Sequence, residues 1–243
     1  MLAGGAYLVP METHCLLCSP QIGGPWLGTD PLGRDILVRL LRGVFLSAAI
    51  GISAALVSLA LGTGLGLFMG QRPGLVDSLL SVILQAIWVV PSILWASLLA
   101  FIGGKSFLTL LLAIALSTWT ETARLVRIEV RRLWQMPFIE AGRALGFPSR
   151  RLLLRHVLPM LLPTLRVQFL QIFATAILIE AGLGFVGLSL SAPHASLGTL
   201  LFEAIGWLTL PQGQLQGILA GGVLGGMVFA VYSQTAYGRR PVQ

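Results

Sequence analysis

The residues best suited to metal or redox chemistry lie near the start of the chain. His14, Cys15 and Cys18 fall within five consecutive positions, and Met11 precedes them. Two thiolates and an imidazole can bind a soft or borderline metal ion, but a structural zinc site normally has four ligands. The pattern therefore favours a disulfide or two unpaired thiols, and we assign no metal ligands and no cofactor.

Acidic side chains that could serve as catalytic acids or bases are few and far apart. Beyond residue 40 they are Asp77, Glu121, Glu129, Glu140, Glu180 and Glu203. None stands beside a nucleophile in a recognisable constellation, so we predict no enzymatic activity for this chain. Gly103-Gly104-Lys105-Ser106 is similar to a phosphate-binding loop, but that motif needs a Gly where Leu99 stands, and no strand precedes it.

The segment 140–146, Glu-Ala-Gly-Arg-Ala-Leu-Gly, has the features of a short helix that docks on a partner. Its small residues allow close approach, and its final Gly can end the helix in a left-handed cap. Phe138, Ile139 and Leu145 are expected to supply the apolar contact. A Leu158-Pro159 pair follows twelve residues after Gly146.

This arrangement resembles the EAA signature of permeases of ATP-binding-cassette (ABC) importers. In that family, the signature forms a cytoplasmic coupling helix that fits a groove on the ATPase subunit, and the spacing to Leu158-Pro159 also agrees. The resemblance implies a coupling helix at about 138–147 and ATP hydrolysis on a separate subunit. The residues assigned to coupling are Phe138, Glu140, Ala141, Gly142, Leu145 and Gly146.

Composition indicates that the surroundings of this segment are a membrane. Hydrophobic residues make up 56% of the chain and charged residues only 10%, and the mean hydropathy is +0.87. Eight of the fifteen Arg lie between 124 and 155 with only Glu129 and Glu140, a net +6 of the chain's +7. Positive charge confined to one loop between apolar runs is typical of a cytoplasmic loop and does not require a nucleic-acid partner.

Five apolar runs are long enough to span the bilayer, which takes about 20 residues. They are 44–69, 76–102, 106–124, 158–182 and 214–237. Basic residues follow the first, third and fifth runs, at Arg72, the Arg cluster and Arg239-Arg240, so these ends are predicted to be cytoplasmic. The turn 103–105 and the segment 183–213 are then outside. Residues 1–25 show neither a span nor a secretory signal and are predicted to be an extracytoplasmic tail.

Two further segments resemble the C-type permeases of dipeptide, oligopeptide and nickel importers. The first, 27–35, reads Leu-Gly-Thr-Asp-Pro-Leu-Gly-Arg-Asp, and the second covers 180–198. Thr29-Asp30-Pro31 is predicted to be a turn or a helix start, with Asp30 able to cap it. Residues 26–43 are predicted to be an interfacial amphipathic segment.

The resemblance covers about 27–230 and weakens at both ends. Ala195 and Leu197 replace the usual Pro and Trp, and the acidic tail of the family is missing around 232–239. A first transmembrane helix usually precedes the 27–35 segment in this family. Either this protein lacks that helix, or the printed start is not the native one.

The fold class implied is an all-α polytopic membrane protein, a type I ABC importer transmembrane domain over 44–238 with about five transmembrane helices. The implied function is a permease subunit of a bacterial inner membrane importer for peptides or nickel-type metal chelates. Expected partners are ATPase subunits, a homologous second permease, an extracytoplasmic binding protein and the lipid bilayer. With the printed start, the N-terminus is outside and the C-terminus cytoplasmic.

A secondary carrier or channel that works without an ATPase is the alternative function. Ion-coupled carriers need ionisable or unwound polar sites near the bilayer midplane. The predicted spans instead offer Ser, Thr, Gln, Trp and Gly at their centres, which disfavours this alternative. The residues predicted to line a translocation pathway are Gln85, Trp88, Ser92, Trp95, Gln168 and Gln171.

Overall fold

The structure is a computed structural model that describes residues 26–71, 73–190 and 194–237 of the chain. Nearly all of the described residues are helical. Predictions that concern His14, Cys15, Cys18, Arg72 and the C-terminal Arg pair fall on residues outside these ranges. The helices are α1 (Ile36–Gln71), α2 (Leu75–Val89), α3 (Ser92–Gly103), α4 (Phe107–Trp134), α5 (Pro137–Ala144), α6 (Ser149–Leu152), a π-helix (Leu153–Val157), α7 (Leu158–Phe185), α8 (Leu197–Gly206) and α9 (Pro211–Tyr237).

Three helical stretches are long and apolar enough to cross a membrane. They are Ile36–Gln71, Ser149–Phe185 and Pro211–Gln234, and the bent pair α2 and α3 makes a fourth if it counts as one span. The remaining predicted span, 106–124, overlaps α4, which is not among the helices that are long and apolar enough to cross a membrane. Each of the five predicted spans therefore coincides with helix, while three to four qualify as crossings.

The direction of each long helix follows from its neighbours. Ser58 pairs with Thr118 and Gly70 lies against Val130, so α1 and α4 run parallel along their length. Ser47 pairs with Glu180, whereas Leu161 and Leu165 pack with Val126 and Val130, so α7 runs antiparallel to both.

Glycine lets α1 and α4 approach one another closely. A Cβ added to Gly66 would lie 2.7 Å from the Cβ of Val126, and one added to Gly70 would lie 2.6 Å from the Cβ of Val130. Gly62 makes the same kind of contact with Thr122 one turn earlier. This small-residue face of α1 therefore serves helix packing.

The glycine pairs of α9 behave differently from those of α1. Gly221 faces Leu201 at an ordinary van der Waals distance, but nothing in the described part of the chain lies within 4 Å of a Cβ added to Gly222, Gly225 or Gly226. Close helix packing of the kind seen on α1 is therefore not found at these four α9 glycines within the described residues.

The second predicted span, 76–102, is not one helix. α2 and α3 meet at an angle of 85°, with Pro91 at the N-cap of α3 and Val90 in an extended conformation. A residue before proline is pushed away from the helical region, and proline cannot donate the next helical hydrogen bond. Trp95 Nε1 donates to the carbonyl oxygen of Ile87 at 3.1 Å and so bridges the bend.

α1 begins before the first predicted span and contains part of the predicted interfacial segment. Asp35 caps it by accepting hydrogen bonds from the Leu37 and Val38 amides at 2.8 and 3.1 Å. Asp30 instead stabilises a turn, accepting from the Leu32 and Arg34 amides, both at 2.9 Å. The turn prediction is confirmed, the capping residue is Asp35, and the predicted boundary at 43/44 is not a helix boundary.

We predict that Gly66→Ala destabilises the protein while Gly64→Ala does not. The added methyl at 66 meets Val126 and the Ala123 carbonyl oxygen, 2.8 Å away, whereas a Cβ at Gly64 meets nothing within 4 Å. Overpacking of this kind costs about 1–3 kcal/mol. Thermal unfolding of the two purified variants in the same detergent measures the difference. Equal midpoints would contradict the close α1–α4 contact.

Candidate functional site

α5 forms the centre of the Arg-rich loop between α4 and α7, and it ends as a left-handed cap predicts. Gly146 has φ of 76°. Its amide donates to the Arg143 carbonyl oxygen at 2.9 Å, and the Phe147 amide donates to the Gly142 carbonyl oxygen at 3.0 Å. These two bonds are the Schellman arrangement, which satisfies carbonyl groups at the end of a helix.

One face of α5 packs against its own chain. Ile139 is fully buried, and Gly142 is buried against Leu152 of α6. A Cβ added to Gly142 would lie 2.5 Å from the Cδ2 of Leu152. The prediction that Ile139 and Gly142 face a partner is therefore wrong, because both fill the interior of the loop.

The opposite face of α5 is small and exposed. Ala141 and Ala144 stand three residues apart on one side of the helix, and both are exposed together with Glu140. Two larger apolar side chains flank this face, with Phe138 37% and Leu145 73% exposed. The exposed small face of α5 is thus formed by Ala141 and Ala144, and Gly142 is not part of it.

The buried face of α5 connects directly to the long helices. Ile139 belongs to a hydrophobic cluster that includes Val126 and Val130 of α4 and Leu161 and Leu165 of α7. Interiors packed in this way have low compressibility and transmit displacement. A force applied to the outer face of α5 would thus reach α4 and α7 through apolar contacts.

Two Arg side chains of the loop stack on aromatic rings. The Arg143 guanidinium lies 5.1 Å from the centre of the Trp134 ring, and that of Arg151 lies 4.3 Å from the centre of the Phe147 ring. Each such contact contributes about 0.5–1 kcal/mol at exposed sites. The first contact joins the last turn of α5 to the end of α4, and the second joins the residue after Gly146 to α6.

A buried carboxylate ties the start of α2 to α4 near the same end of the bundle. Asp77 accepts from Arg127 Nε at 2.6 Å and from Arg127 Nη2 at 2.9 Å, and it also contacts Arg131. Two charged partners offset the cost of burying this carboxylate. Sequence reasoning placed Asp77 at the start of a span but missed this pairing, which only the α2–α4 contact brings together.

The predicted pathway residues differ in their surroundings within this chain. Gln168 is buried and its Nε2 donates to Thr122 Oγ1 at 3.5 Å, so it serves helix packing. Trp95 bridges the α2–α3 bend, and Ser92 is partly buried in the first turn of α3. Gln85, Trp88 and Gln171 are exposed on the bundle surface, and the Arg124 guanidinium lies 4.7 Å from the Trp88 ring centre.

At the end of the bundle opposite α5, the 27–35 segment is held to α8 by ion pairs. Asp30 is fully buried and accepts from Arg34 Nε at 2.7 Å and Arg39 Nη1 at 3.0 Å. The same two Arg donate to Glu203 Oε2, at 3.3 and 2.7 Å respectively. This network explains why an acid and two Arg stand at these positions, although no sequence pattern indicates that Glu203 completes it.

Residues 180–190 and 194–198 form a tightly packed corner at that same end. Glu180 is fully buried, and it accepts from Ser47 Oγ at 2.8 Å and Ser189 Oγ at 3.1 Å. A Cβ added to Gly184 would lie 2.9 Å from the Gly198 carbonyl carbon. The acid and the glycines of this signature thus join α1, α7 and α8.

The part of the chain that the structure describes brings together no group of three or more His, Cys, Asp or Glu able to hold a metal ion. Arg and hydroxyl groups, rather than further acids, surround the buried carboxylates of Asp30, Asp77 and Glu180. The chemistry of these clusters is ion pairing and hydrogen bonding. They hold helices together and present no reactive group to a substrate.

Comparison with known proteins identifies permease proteins of transport systems as relatives of this chain. The chain is 36% identical over 184 residues to the oligopeptide transport system permease protein OppC of Bacillus subtilis, covering 76% of this chain and 60% of that protein. It is 38% identical over 190 residues to the dipeptide transport system permease protein DppC of Alkalihalophilus pseudofirmus, covering 76% and 62%. The glutathione transport system permease protein GsiD of Pectobacterium atrosepticum is 36% identical over 203 residues, covering 82% and 67%. The matched part thus spans about three fifths of the length of the first two relatives.

A solved structure shares the fold. The chain superposes on a chain of the inward-facing MetNI methionine ABC transporter with a TM-score of 0.63 at 19% identity, covering 84% of this chain and 98% of the other. A family model described as binding-protein-dependent transport system inner membrane component matches residues 62–238, which include α5 and the last part of α1. The chain therefore belongs to the family of binding-protein-dependent transport system inner membrane components.

Proposed function

We propose that this chain is a permease subunit of an ATP-driven importer, with α5 as the coupling helix that receives force from an ATPase subunit. The observation that carries the proposal is the two-sided construction of α5. Its exposed face is small enough for close docking, and its buried face packs through Ile139 into α4 and α7. A secondary carrier would have no use for such a helix.

The helix directions support a topology with five crossings of the bacterial inner membrane. α1, α4 and α9 run toward the cytoplasm, and the bent α2–α3 pair and α7 run outward. The Arg-rich loop is then cytoplasmic, which agrees with the positive-inside rule. The 26–35 segment and α8 lie at the outer face.

The proposed assembly contains two permeases, ATPase subunits and an extracytoplasmic binding protein. Relatives are named for oligopeptides, dipeptides and glutathione, so a peptide is the cargo these names support. The alternative cargo is a nickel chelate. Docking of the two α5 helices on the moving ATPases would shift α4 and α7, and rigid-body motion of packed helices would alternate access.

The proposed topology predicts which positions are accessible from each side of the membrane. In a variant with Cys15 and Cys18 replaced by Ser, Gly104→Cys should react with an impermeant maleimide added outside intact cells. Arg150→Cys should react only after the inner face is opened. Labelling of position 150 from outside would overturn the topology.

The proposed docking face predicts that Ala141→Trp uncouples the protein without unfolding it. A bulky ring on the exposed face separates α5 from the ATPase, while the buried contacts of Ile139 and Gly142 stay intact. We expect ATPase copurification and cargo-stimulated ATP hydrolysis to fall at least tenfold, which corresponds to about 1.4 kcal/mol of lost interaction.

Ser149→Trp is the matched control for this variant, because Ser149 is exposed in the same loop but lies outside α5. It should retain both activities. Equal losses in the two variants, or wild-type transport by Ala141→Trp, would contradict docking on this face. Gly142→Trp is a different variant, since its side chain would clash with Leu152 inside the permease and damage the loop itself.

The left-handed cap predicts opposite outcomes for two substitutions at Gly146. A β-branched Val at φ of 76° is strained by about 1–3 kcal/mol, whereas Asn tolerates this conformation. Gly146→Val should therefore lower ATPase copurification and raise protease cleavage of the 137–149 loop, and Gly146→Asn should do neither. Indistinguishable variants would show that the cap does not position α5.

A further inference from the structure

A cavity of about 210 Å³ opens at the end of the bundle opposite α5. It forms where the start of α1, the turn between α3 and α4, the end of α7 and α8 meet. Its walls include Arg34, Arg39, Lys105, Ser189, Phe202 and Glu203. None of these residues takes part in the proposed coupling to the ATPase.

The charges of this cavity do not cancel. Arg34 and Arg39 are matched by Asp30 and Glu203, with all four joined by contacts of 2.7 to 3.3 Å. Lys105 lines the same cavity and has no such partner among the described residues. The three basic and two acidic side chains therefore carry a net charge of +1.

Lys105 is held in place by the turn that contains it. Gly104 has φ of 77° and its carbonyl oxygen accepts from the Ser106 amide at 3.1 Å. Ser106 Oγ in turn caps α4 by accepting from the Thr109 amide at 3.1 Å. The Lys105 side chain thus starts from a fixed backbone, and Leu190 and Phe202 give the same cavity apolar walls, which strengthen the field of a nearby charge.

We propose that this cavity is a carboxylate-binding site in which Lys105 supplies the unmatched cation. One excess positive charge suits a monoanion, while Glu203 on the wall disfavours a dianion such as phosphate. The donors still available beside Lys105 are guanidinium N–H groups of Arg34, which uses Nε and Nη2 in the ion pairs. Guanidinium and ammonium donors form strong charge-assisted hydrogen bonds with carboxylates.

The direction from which the carboxylate arrives rests on the proposed function, which places this end at the outer face. Two molecules could supply this carboxylate. One is an acidic side chain of the docked binding protein, and the other is the carboxyl terminus of a peptide cargo. Both would present a carboxylate to Lys105 from outside.

Lys105 is the only Lys in the chain, which makes the site chemically addressable. A carbodiimide joins an amine to a carboxylate in contact with it through an amide bond of zero added length. The permease–ATPase complex in nanodiscs is treated with carbodiimide in the presence of either the binding protein or N-acetyl-trialanine. Mass spectrometry of the Lys105 peptide then identifies what has been joined to it.

We expect an amide between Lys105 and one of these carboxylates. A linked peptide of the binding protein identifies a docking contact, whereas an added N-acetyl-trialanine mass identifies a cargo contact. N-acetyl-trialaninamide lacks the carboxylate and should give no product. An internal amide with Glu203 alone, or no amide at all, would overturn the proposal.

Two substitutions test whether the charge matters for transport. Lys105→Gln should raise the concentration of binding protein or cargo needed for half-maximal uptake about threefold to fivefold, as expected for a partly exposed ion pair. Lys105→Arg keeps the charge and should stay near wild type. Equal uptake by all three proteins would contradict a carboxylate site.

Failure of the proposed function would look different. If the wild-type chain did not copurify with an ATPase or support ATP-dependent uptake, the importer assignment itself would be wrong. If it did both but Lys105 formed no external amide, only the carboxylate site would be lost.

Discussion

The close, parallel contact between α1 and α4 is the constraint on which the rest of this fold depends. Gly62, Gly66 and Gly70 bring the two backbones together along one face. Because lipid tails solvate apolar side chains as well as a neighbouring helix does, such a contact depends on van der Waals fit. Two parallel helices separated by one connection also require that connection to return to the starting end, and the bent α2–α3 pair does so.

The two ends of the bundle are stabilised by charge, whereas its middle is not. Asp77 with Arg127 and Arg131 holds one end, and Asp30 with Arg39 holds the other. Between them the contacts are apolar or hydroxyl pairs such as Ser58 with Thr118. A buried ion pair resists separation, since breaking it leaves an uncompensated charge.

Sequence patterns were most reliable where a residue type has one physical use. The left-handed Gly146, the turn at Asp30 and the long apolar helices are of this kind. The bend at Pro91 was also readable, because proline restricts its predecessor, yet the apolar run around it concealed the break. The facing of Gly142 and the partners of Asp77 and Asp30 were not readable, since they depend on which helices become neighbours.

The contact of Gly142 with Leu152 affects how α5 would act in its proposed coupling role. A small residue can permit close approach of a partner or of the chain's own neighbour, and the sequence does not distinguish the two. Here Gly142 admits Leu152, so α5 sits tightly on the permease, and Ala141 and Ala144 remain for the partner. The small residues of the signature are thus divided between two surfaces. That division is what a coupling element needs, because a helix that grips only its partner would move without moving the bundle.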